Sequence, residues 1–143
     1  MATLKVNITE AVTLNGSNYG AKNALSISGI NGVDKRIVSV LHSAKQQIYA
    51  GGSVVAQGTY ISANVKYIRI TNLHASNFVV LHFEGNSHFS QHKLEAGKSF
   101  ILGTPVGFDN NADLDSFSSE SIVKIDAKAD TGTTDLEIYV ATS

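Results

Sequence analysis

The chain of 143 residues contains no cysteine, no tryptophan and only one proline. The absence of cysteine excludes disulfide bonds, thiolate catalysis and cysteine-ligated metals. It is most simply explained by a protein that is made and kept in a reducing cell. Without tryptophan, any sugar-binding platform would have to be built from tyrosine or phenylalanine.

Charge is scarce and nearly balanced. Lysine and arginine number 11 and aspartate and glutamate 12, so the net charge is −1 and charged residues make up 16% of the chain. A general nucleic-acid binder carries a basic excess, so we expect no nucleic-acid partner. No apolar run approaches the ~20 residues that span a bilayer, so we expect no membrane partner either.

Short apolar segments broken by glycine, asparagine and aspartate dominate the sequence. Several of them alternate apolar and polar residues or are rich in β-branched and aromatic residues: 4–8, 64–73, 78–83, 99–102, 122–127 and 136–140. No segment longer than about two turns has the spacing of an amphipathic helix. The pattern predicts an all-β fold with little or no helix, in which residues 1–143 form a single antiparallel β-sandwich domain.

Glycine-containing turns indicate where the strands are joined. Asn31-Gly32 stands between two apolar segments and predicts a hairpin, because Asn-Gly tolerates positive φ at both central turn positions. Asn15-Gly16 repeats the dipeptide, but the residues after it are typical of a loop. Thr131-Gly132-Thr133 separates the last two predicted strands and predicts a C-terminal hairpin.

Three of the five histidines, His82, His88 and His92, are close enough in sequence to test for a metal site. His88 and His92 lie four apart on a predicted strand, about 13 Å from each other at ~3.3 Å per residue, which is too far to share one ion. An odd-numbered loop would place His82 on their face, and an even-numbered loop would place it on the opposite face. Solvated strand histidines are the preferred interpretation, and we expect no metal and no other cofactor.

Other catalytic motifs are incomplete. Gly97-Lys98-Ser99 resembles the end of a phosphate-binding loop, but position 92 is histidine instead of glycine and a strand follows instead of a helix. The chain has no Gly-x-Ser-x-Gly elbow. The acidic segment 109–115 lacks the loop glycine and the final glutamate of an EF-hand, so we interpret it as a solvated loop. We therefore expect no catalytic residues.

A recognition surface is the remaining candidate site. Tyr19 and Tyr60 lie in loop-like surroundings, where an exposed ring would be available to a sugar or another protein. Asp109 and Asp113 lie in the acidic segment and supply oxygen atoms for the same purpose. These four residues are the predicted recognition surface.

The amino-acid sequence of several predicted strands and turns resembles that of small structural proteins of tailed bacteriophages, especially those of marine and cyanobacterial hosts. The resemblance rests on residues 65–73, 77–81 and 93–102, together with residues 14–20 and 35–38. It implies a virion component with a jelly-roll-like sandwich, made in the host cytoplasm, and it provides no catalytic residues.

The resemblance further implies what the protein contacts. We expect a non-enzymatic capsid decoration protein that binds other copies of itself, as a trimer, and the major capsid protein or another virion protein. The N-terminal strand, residues 3–8, either closes its own sheet or adds to the sheet edge of a neighbour. The alternative function is a host-receptor or carbohydrate-binding module of a fibre or spike. A cupin-like metalloenzyme using the three histidines is a third hypothesis.

Overall fold

A computed structural model describes residues 1–54, 56–103, 108–109 and 119–143. In these residues the chain is built from β-strands, with one 3-10 turn at Ser62–Asn64 and no α-helix. The strands are β1 (Ala2–Glu10), β2 (Thr13–Leu14), β3 (Ser17–Asn18), β4 (Ala21–Ile30), β5 (Gly32–Leu41), β6 (Gln46–Gly52), β7 (Tyr60–Ile61), β8 (Val65–Asn72), β9 (Val79–Glu84), β10 (Phe89–Leu94), β11 (Ser99–Leu102), β12 (Phe108–Asp109), β13 (Ser119–Glu120), β14 (Lys124–Ala129) and β15 (Thr133–Thr142). None of the described residues forms a helix long and apolar enough to cross a bilayer.

Two larger sheets form the body of the protein. One has the strand order β10-β9-β14-β6-β7 and the other β11-β8-β15-β5, and all pairs are antiparallel except β6–β7. Alternate residues of the central strands are buried, as Leu136, Ile138 and Val140 are in β15 and Val79, Leu81 and Phe83 are in β9. The buried side chains of both sheets belong to one hydrophobic cluster, which makes the two sheets the layers of a β-sandwich. The predicted all-β sandwich is confirmed.

The strands of the body pair in a nested order. β9 pairs with β10, β8 with β11, β6 with β14, and β5 with β15. The innermost pair is adjacent in sequence, and each further pair encloses the one before it. The outermost pair, β5–β15, aligns ten residues of each strand, from Gly32 opposite Thr142 to Leu41 opposite Thr133.

The N-terminal residues form a separate long hairpin, which we call the arm (residues 2–30). β1 pairs with β4 over eight registered positions, and the short β2–β3 pair closes the tip. Asn15 and Gly16 form the tip turn with φ values of 50° and 80°, the positive values that an Asn-Gly hairpin turn requires. The loop predicted after Asn15-Gly16 is therefore wrong at Ser17–Asn18, which form β3 of the hairpin, while residues 19–20 belong to no strand.

Asn31-Gly32 does not form the hairpin that was predicted there. β4 pairs with β1 and β5 pairs with β15, so the chain passes from the arm into the body at this point. The Asn31 amide donates to the Thr142 carbonyl at 2.9 Å, and a Cβ on Gly32 would lie 2.7 Å from the Thr142 hydroxyl. Glycine is present here because β15 approaches closely, not because the turn needs positive φ.

The predicted C-terminal hairpin is also wrong. β14 belongs to the five-stranded sheet and β15 to the four-stranded sheet, so the turn at 131–132 carries the chain from one layer to the other. Gly132 has the positive φ expected of a tight turn, 63°. The turn residues were identified correctly, but β14 pairs with β6 and β9, and β15 pairs with β5 and β8.

Candidate functional site

The structure places the three candidate metal ligands apart. The connection between β9 and β10 has an even number of residues, 85–88, so His82 pairs with Gln91 and His92 pairs with Leu81. His82 and His92 therefore face opposite sides of the sheet. The His82 ring lies against the outer face beside Gln91, while the His92 ring packs 4.7 Å from the Phe100 ring.

His88 has a different environment, in the turn between β9 and β10. Its Nδ1 lies 3.0 Å from Glu120 Oε2. Across the parts of the chain that the structure describes, no three histidine, aspartate or glutamate side chains are arranged to hold a metal ion.

The tyrosines predicted for recognition have contrasting positions. Tyr19 lies at the arm tip and is 65% exposed. The Tyr60 ring is half-buried and stacks on Tyr49 with centroids 5.4 Å apart, and its hydroxyl donates to Asp34. Burial and this hydrogen bond raise the pKa of Tyr60 to about 12. Arg36 also donates to Asp34, at 2.8 Å, so Tyr60 belongs to a polar network within the body.

The two predicted aspartates cannot be placed on this surface. The backbone of Asp109 lies in β12, paired with β13, and its side chain lies outside the described part of the structure. Asp113 lies outside the described residues altogether.

The arm carries an apolar stripe that its own body covers only at the base. The stripe lies on one face of β1 and β4, where apolar residues alternate with residues of the other face. Leu4 lies opposite Ile27 and Val6 lies opposite Leu25, and Ile8 follows at the next same-face position of β1. Leu4, Val6 and Ile27 are half-buried, while Ile8 and Leu25 are exposed. Exposure rises further at the tip, where Leu14 is 59% exposed.

The base of the arm is held by a small second core, which we call the seat (Tyr67, Tyr139 and Ala141). These residues lie on the outer face of the four-stranded sheet and contact Ile30, Leu4, Val6 and Ile27 of the arm. Tyr67 meets Tyr139 edge to face at 6.0 Å, a favoured aromatic geometry. The Arg69 guanidinium lies 5.8 Å from the Tyr139 ring centre.

The arm crosses the outer face of the four-stranded sheet toward β11. A groove of about 360 Å³ separates residues 4–8 from Tyr67, Arg69, Ile101 and Tyr139. A larger groove of about 1090 Å³ lies between Leu25–Ser28 and the end of the sandwich at Val65 and Gly103. Since Ile101 and Gly103 lie at β11, the arm leaves its own body on the β11 side.

On the opposite edge of the same sheet, β5 presents a second apolar surface, which we call the β5 row (Val33, Ile37 and Leu41). These side chains point to the outer face, where the exposed residues Lys35 and Ser39 lie between them. All three are exposed, and Ile37 is 63% exposed. β5 is an edge strand that pairs only with β15 among the described strands. The base of the arm covers the seat in the middle of this face, and the β5 row is left uncovered.

The outer face of the five-stranded sheet is charged and paired within itself. The Lys124 ammonium lies 2.8 Å from Glu84 and 3.4 Å from Asp126, and Lys45 lies 3.5 Å from Asp126. The hydrogen bond from Lys124 holds the pKa of Glu84 below its ordinary value, and the same bond raises the pKa of Lys124. The outer face of the four-stranded sheet also carries ion pairs, such as Lys35 with Glu137, but it differs in having the seat and the β5 row as apolar patches.

Glu120 is the most enclosed acidic group at the β9–β10 turn. Its carboxylate accepts hydrogen bonds from the Ser87 amide and faces His88 at 3.0 Å, and a Cβ on Gly85 would lie 2.5 Å from its Cδ. Burial opposes the charge, but the hydrogen bonds from Ser87 and His88 outweigh it and hold the pKa of Glu120 below its ordinary 4.5.

Acid should therefore remove a stabilising contribution of Glu120. A carboxyl whose pKa is lowered by folding stabilises the folded state above its unfolded pKa, and this contribution is lost as the pH falls through the folded pKa. Chemical denaturation across a pH series should show Glu120→Gln less stable than wild type at neutral pH. The difference should shrink below about pH 4.5. A difference that stays constant down to pH 3 would contradict this assignment.

Sequence patterns contained part of the signal for the arm. The alternation of Leu4, Val6 and Ile8 predicted a strand, and Asn15-Gly16 contained the turn dipeptide. The pairing of β1 with β4 was missed because Asn15-Gly16 was followed by Ser-Asn-Tyr-Gly, which is typical of a loop. The β5 row follows from the same period-two pattern, but its exposure depends on where the arm lies.

Sequence similarity adds nothing to this geometry. No protein-family model matches the chain. No curated protein matches it at a significant level.

Proposed function

We propose that this protein is a non-enzymatic structural protein of a tailed-bacteriophage particle, a capsid decoration protein that assembles through its β-sheet surfaces. The observation that carries the proposal is the arm. A long hairpin is fixed at its base to a rigid sandwich and carries exposed apolar side chains, Ile8 and Leu14 among them, beyond that base. Apolar surface of this kind is typical of protein interfaces.

The strand order supports a jelly-roll for this body. Eight strands of the body pair as first with eighth, second with seventh, third with sixth and fourth with fifth when they are counted from β5, omitting the two-residue strands. A long double-stranded ribbon wrapped into two sheets has this nesting, which is the jelly-roll arrangement found in many capsid domains. The resemblance to phage structural proteins implies the same fold.

The surfaces of the body fit a lattice protein. The net charge is −1, so many copies can be placed side by side with little mutual repulsion. The outer face of the five-stranded sheet is neutralised by its own ion pairs, such as Lys124 with Glu84. The apolar surface is concentrated on the other face, on the arm and the β5 row.

Binding to capsids tests this proposal. Labelled protein is titrated onto phage capsids prepared without it, and bound protein is measured by sedimentation. We expect saturation at a fixed copy number per capsid and, in a particle reconstruction, density for the sandwich at regular lattice positions.

Two results would contradict the decoration role. The first is the absence of saturable binding to capsids. The second is reproducible binding on a glycan array that Tyr19→Ala, at the 65% exposed tyrosine of the arm tip, abolishes, which would favour the receptor-binding alternative.

A further inference from the structure

We infer that the arm tip of one copy packs on the β5 row of a second copy, so that the protein closes into a head-to-tail ring. This inference rests on the proposed assembly function and names the partner of the arm. The two surfaces lie on opposite edges of one sheet face: the arm leaves the body beside β11, and the β5 row lies at β5. A tip that leaves one edge can reach the uncovered edge of a neighbour without turning back.

The contact continues one that already exists within the chain. The base of the arm packs its apolar stripe on the seat, which lies on the same sheet face as the β5 row. Val33 is directly opposite Ala141 of the seat, and Ala141 is opposite Tyr67, so the β5 row extends the seat by one strand. A second arm laid on the row would repeat the packing of β-hairpin on sheet that the first arm makes.

One charge pair fits the proposed contact, and it lies at the Lys35 end of the β5 row, since Glu137 lies opposite Ile37 and Asp135 lies opposite Ser39. The striped face of the arm carries one acid, Glu10, which follows Ile8 at the next same-face position and lies opposite Ala21. The outer face of β5 carries one cation, Lys35, between Val33 and Ile37. The Lys35 side chain is 61% exposed although its ammonium lies 3.4 Å from Glu137, so it remains accessible to a second carboxylate.

The symmetry follows from the difference between the two surfaces. A contact between unlike surfaces is heterologous, and it closes into a ring when the rotation between copies allows it. We expect a ring of three copies, the number implied by the resemblance to phage structural proteins. A two-fold dimer in which each arm packs on the β5 row of the other copy would use the same contact, so a wild-type dimer would overturn the ring.

Complementation between two variants tests this arrangement in solution. Leu14→Asp places a charge on the arm tip, and Ile37→Asp places one on the β5 row, both at exposed positions. The carboxylate introduced by Ile37→Asp lies opposite Glu137, so we expect this variant to be somewhat less stable but folded. Analytical ultracentrifugation should find the wild type as a trimer and each variant as a monomer. A mixture of the two should form a one-to-one dimer, because the Ile37→Asp copy keeps its arm and the Leu14→Asp copy keeps its β5 row.

The matched control is Leu73→Asp. Leu73 is 48% exposed and belongs to neither surface, so this variant should remain a trimer. Thermal unfolding of each variant confirms that it is folded.

The inference is overturned if either single variant stays oligomeric, or if the mixture contains only monomers. A wild type that is monomeric yet binds capsids overturns the ring and leaves the decoration role intact. A trimer that does not bind capsids overturns the decoration role and leaves the ring intact.

Discussion

Leu136→Ala should lower the free energy of unfolding by about 3–4 kcal/mol, measured by chemical denaturation. Leu136 lies in β15, the strand that joins β5 to β8 in the four-stranded sheet, and its side chain is fully buried in the core shared by both layers. Truncation removes apolar contacts and leaves a cavity. The neighbouring strands β5 and β8 cannot move in to close it, because both are hydrogen-bonded in register to β15. The expected loss is a large part of the stability of a domain of this size.

The matched control for this substitution is Leu73→Ala. Leu73 follows β8 and is half exposed, so the same chemical change should cost about 1 kcal/mol or less. Equal losses for the two variants would show that β15 is not the centre of the core. An unchanged slope of unfolding free energy with denaturant would confirm that only stability has changed.

Most strands could be predicted from local pattern because burial repeats every two residues in a half-buried strand. The segments predicted at 64–73 and 78–83 correspond to β8 (Val65–Asn72) and β9 (Val79–Glu84). The segment at 122–127 overlaps β14 (Lys124–Ala129) but begins two residues early, and the segment at 136–140 lies within the longer β15 (Thr133–Thr142). Alternation identifies a strand and its buried face without information about its neighbour.

Strand pairing could not be predicted in the same way, since turn residues show where a chain bends and not which strand it meets next. Asn31-Gly32 and Thr131-Gly132 both follow strands, yet each leads to a change of sheet. The contacts that decide pairing join residues far apart in sequence. Thr142, near the end of the chain, pairs with Gly32, at the start of the body. Rules that use only neighbouring residues cannot predict such a long-range pairing.

In the candidate site, too, the strand pattern could be predicted from the sequence and the tertiary contacts could not. The apolar alternation of the arm and of β5 is visible in the sequence, but their exposure is set by tertiary packing. Ile27 and Ile37 both belong to period-two patterns, and only the first is covered, because the seat lies beneath the base of the arm. Tyr60 illustrates the reverse case, since a residue expected in an exposed loop is stacked on Tyr49.

Tyr67→Ala should release the arm from the body while the sandwich stays folded. Tyr67 is 3% exposed and is the largest buried side chain of the seat, in contact with the base of the arm and edge to face with Tyr139. Replacing a buried aromatic residue by alanine costs about 3–5 kcal/mol, and here most of the lost contacts join the arm to the sheet. Amide hydrogen exchange in β1 and β4 should therefore accelerate by roughly 100-fold, since every 1.4 kcal/mol corresponds to a factor of ten.

The position of Tyr67 explains why this local effect matters for assembly. The seat fixes the direction in which the arm leaves the body, and a tip that is free to swing must be ordered again before it can pack on a neighbour, at an entropic cost. Tyr67→Ala should then weaken the trimer although Leu14 and Ile37 are unchanged, while Tyr19→Ala at the tip should leave exchange in β1 and β4 as it is in the wild type. If exchange in β15 accelerates as much as exchange in β1, the arm opens only when the whole domain unfolds, and the seat is part of the main core.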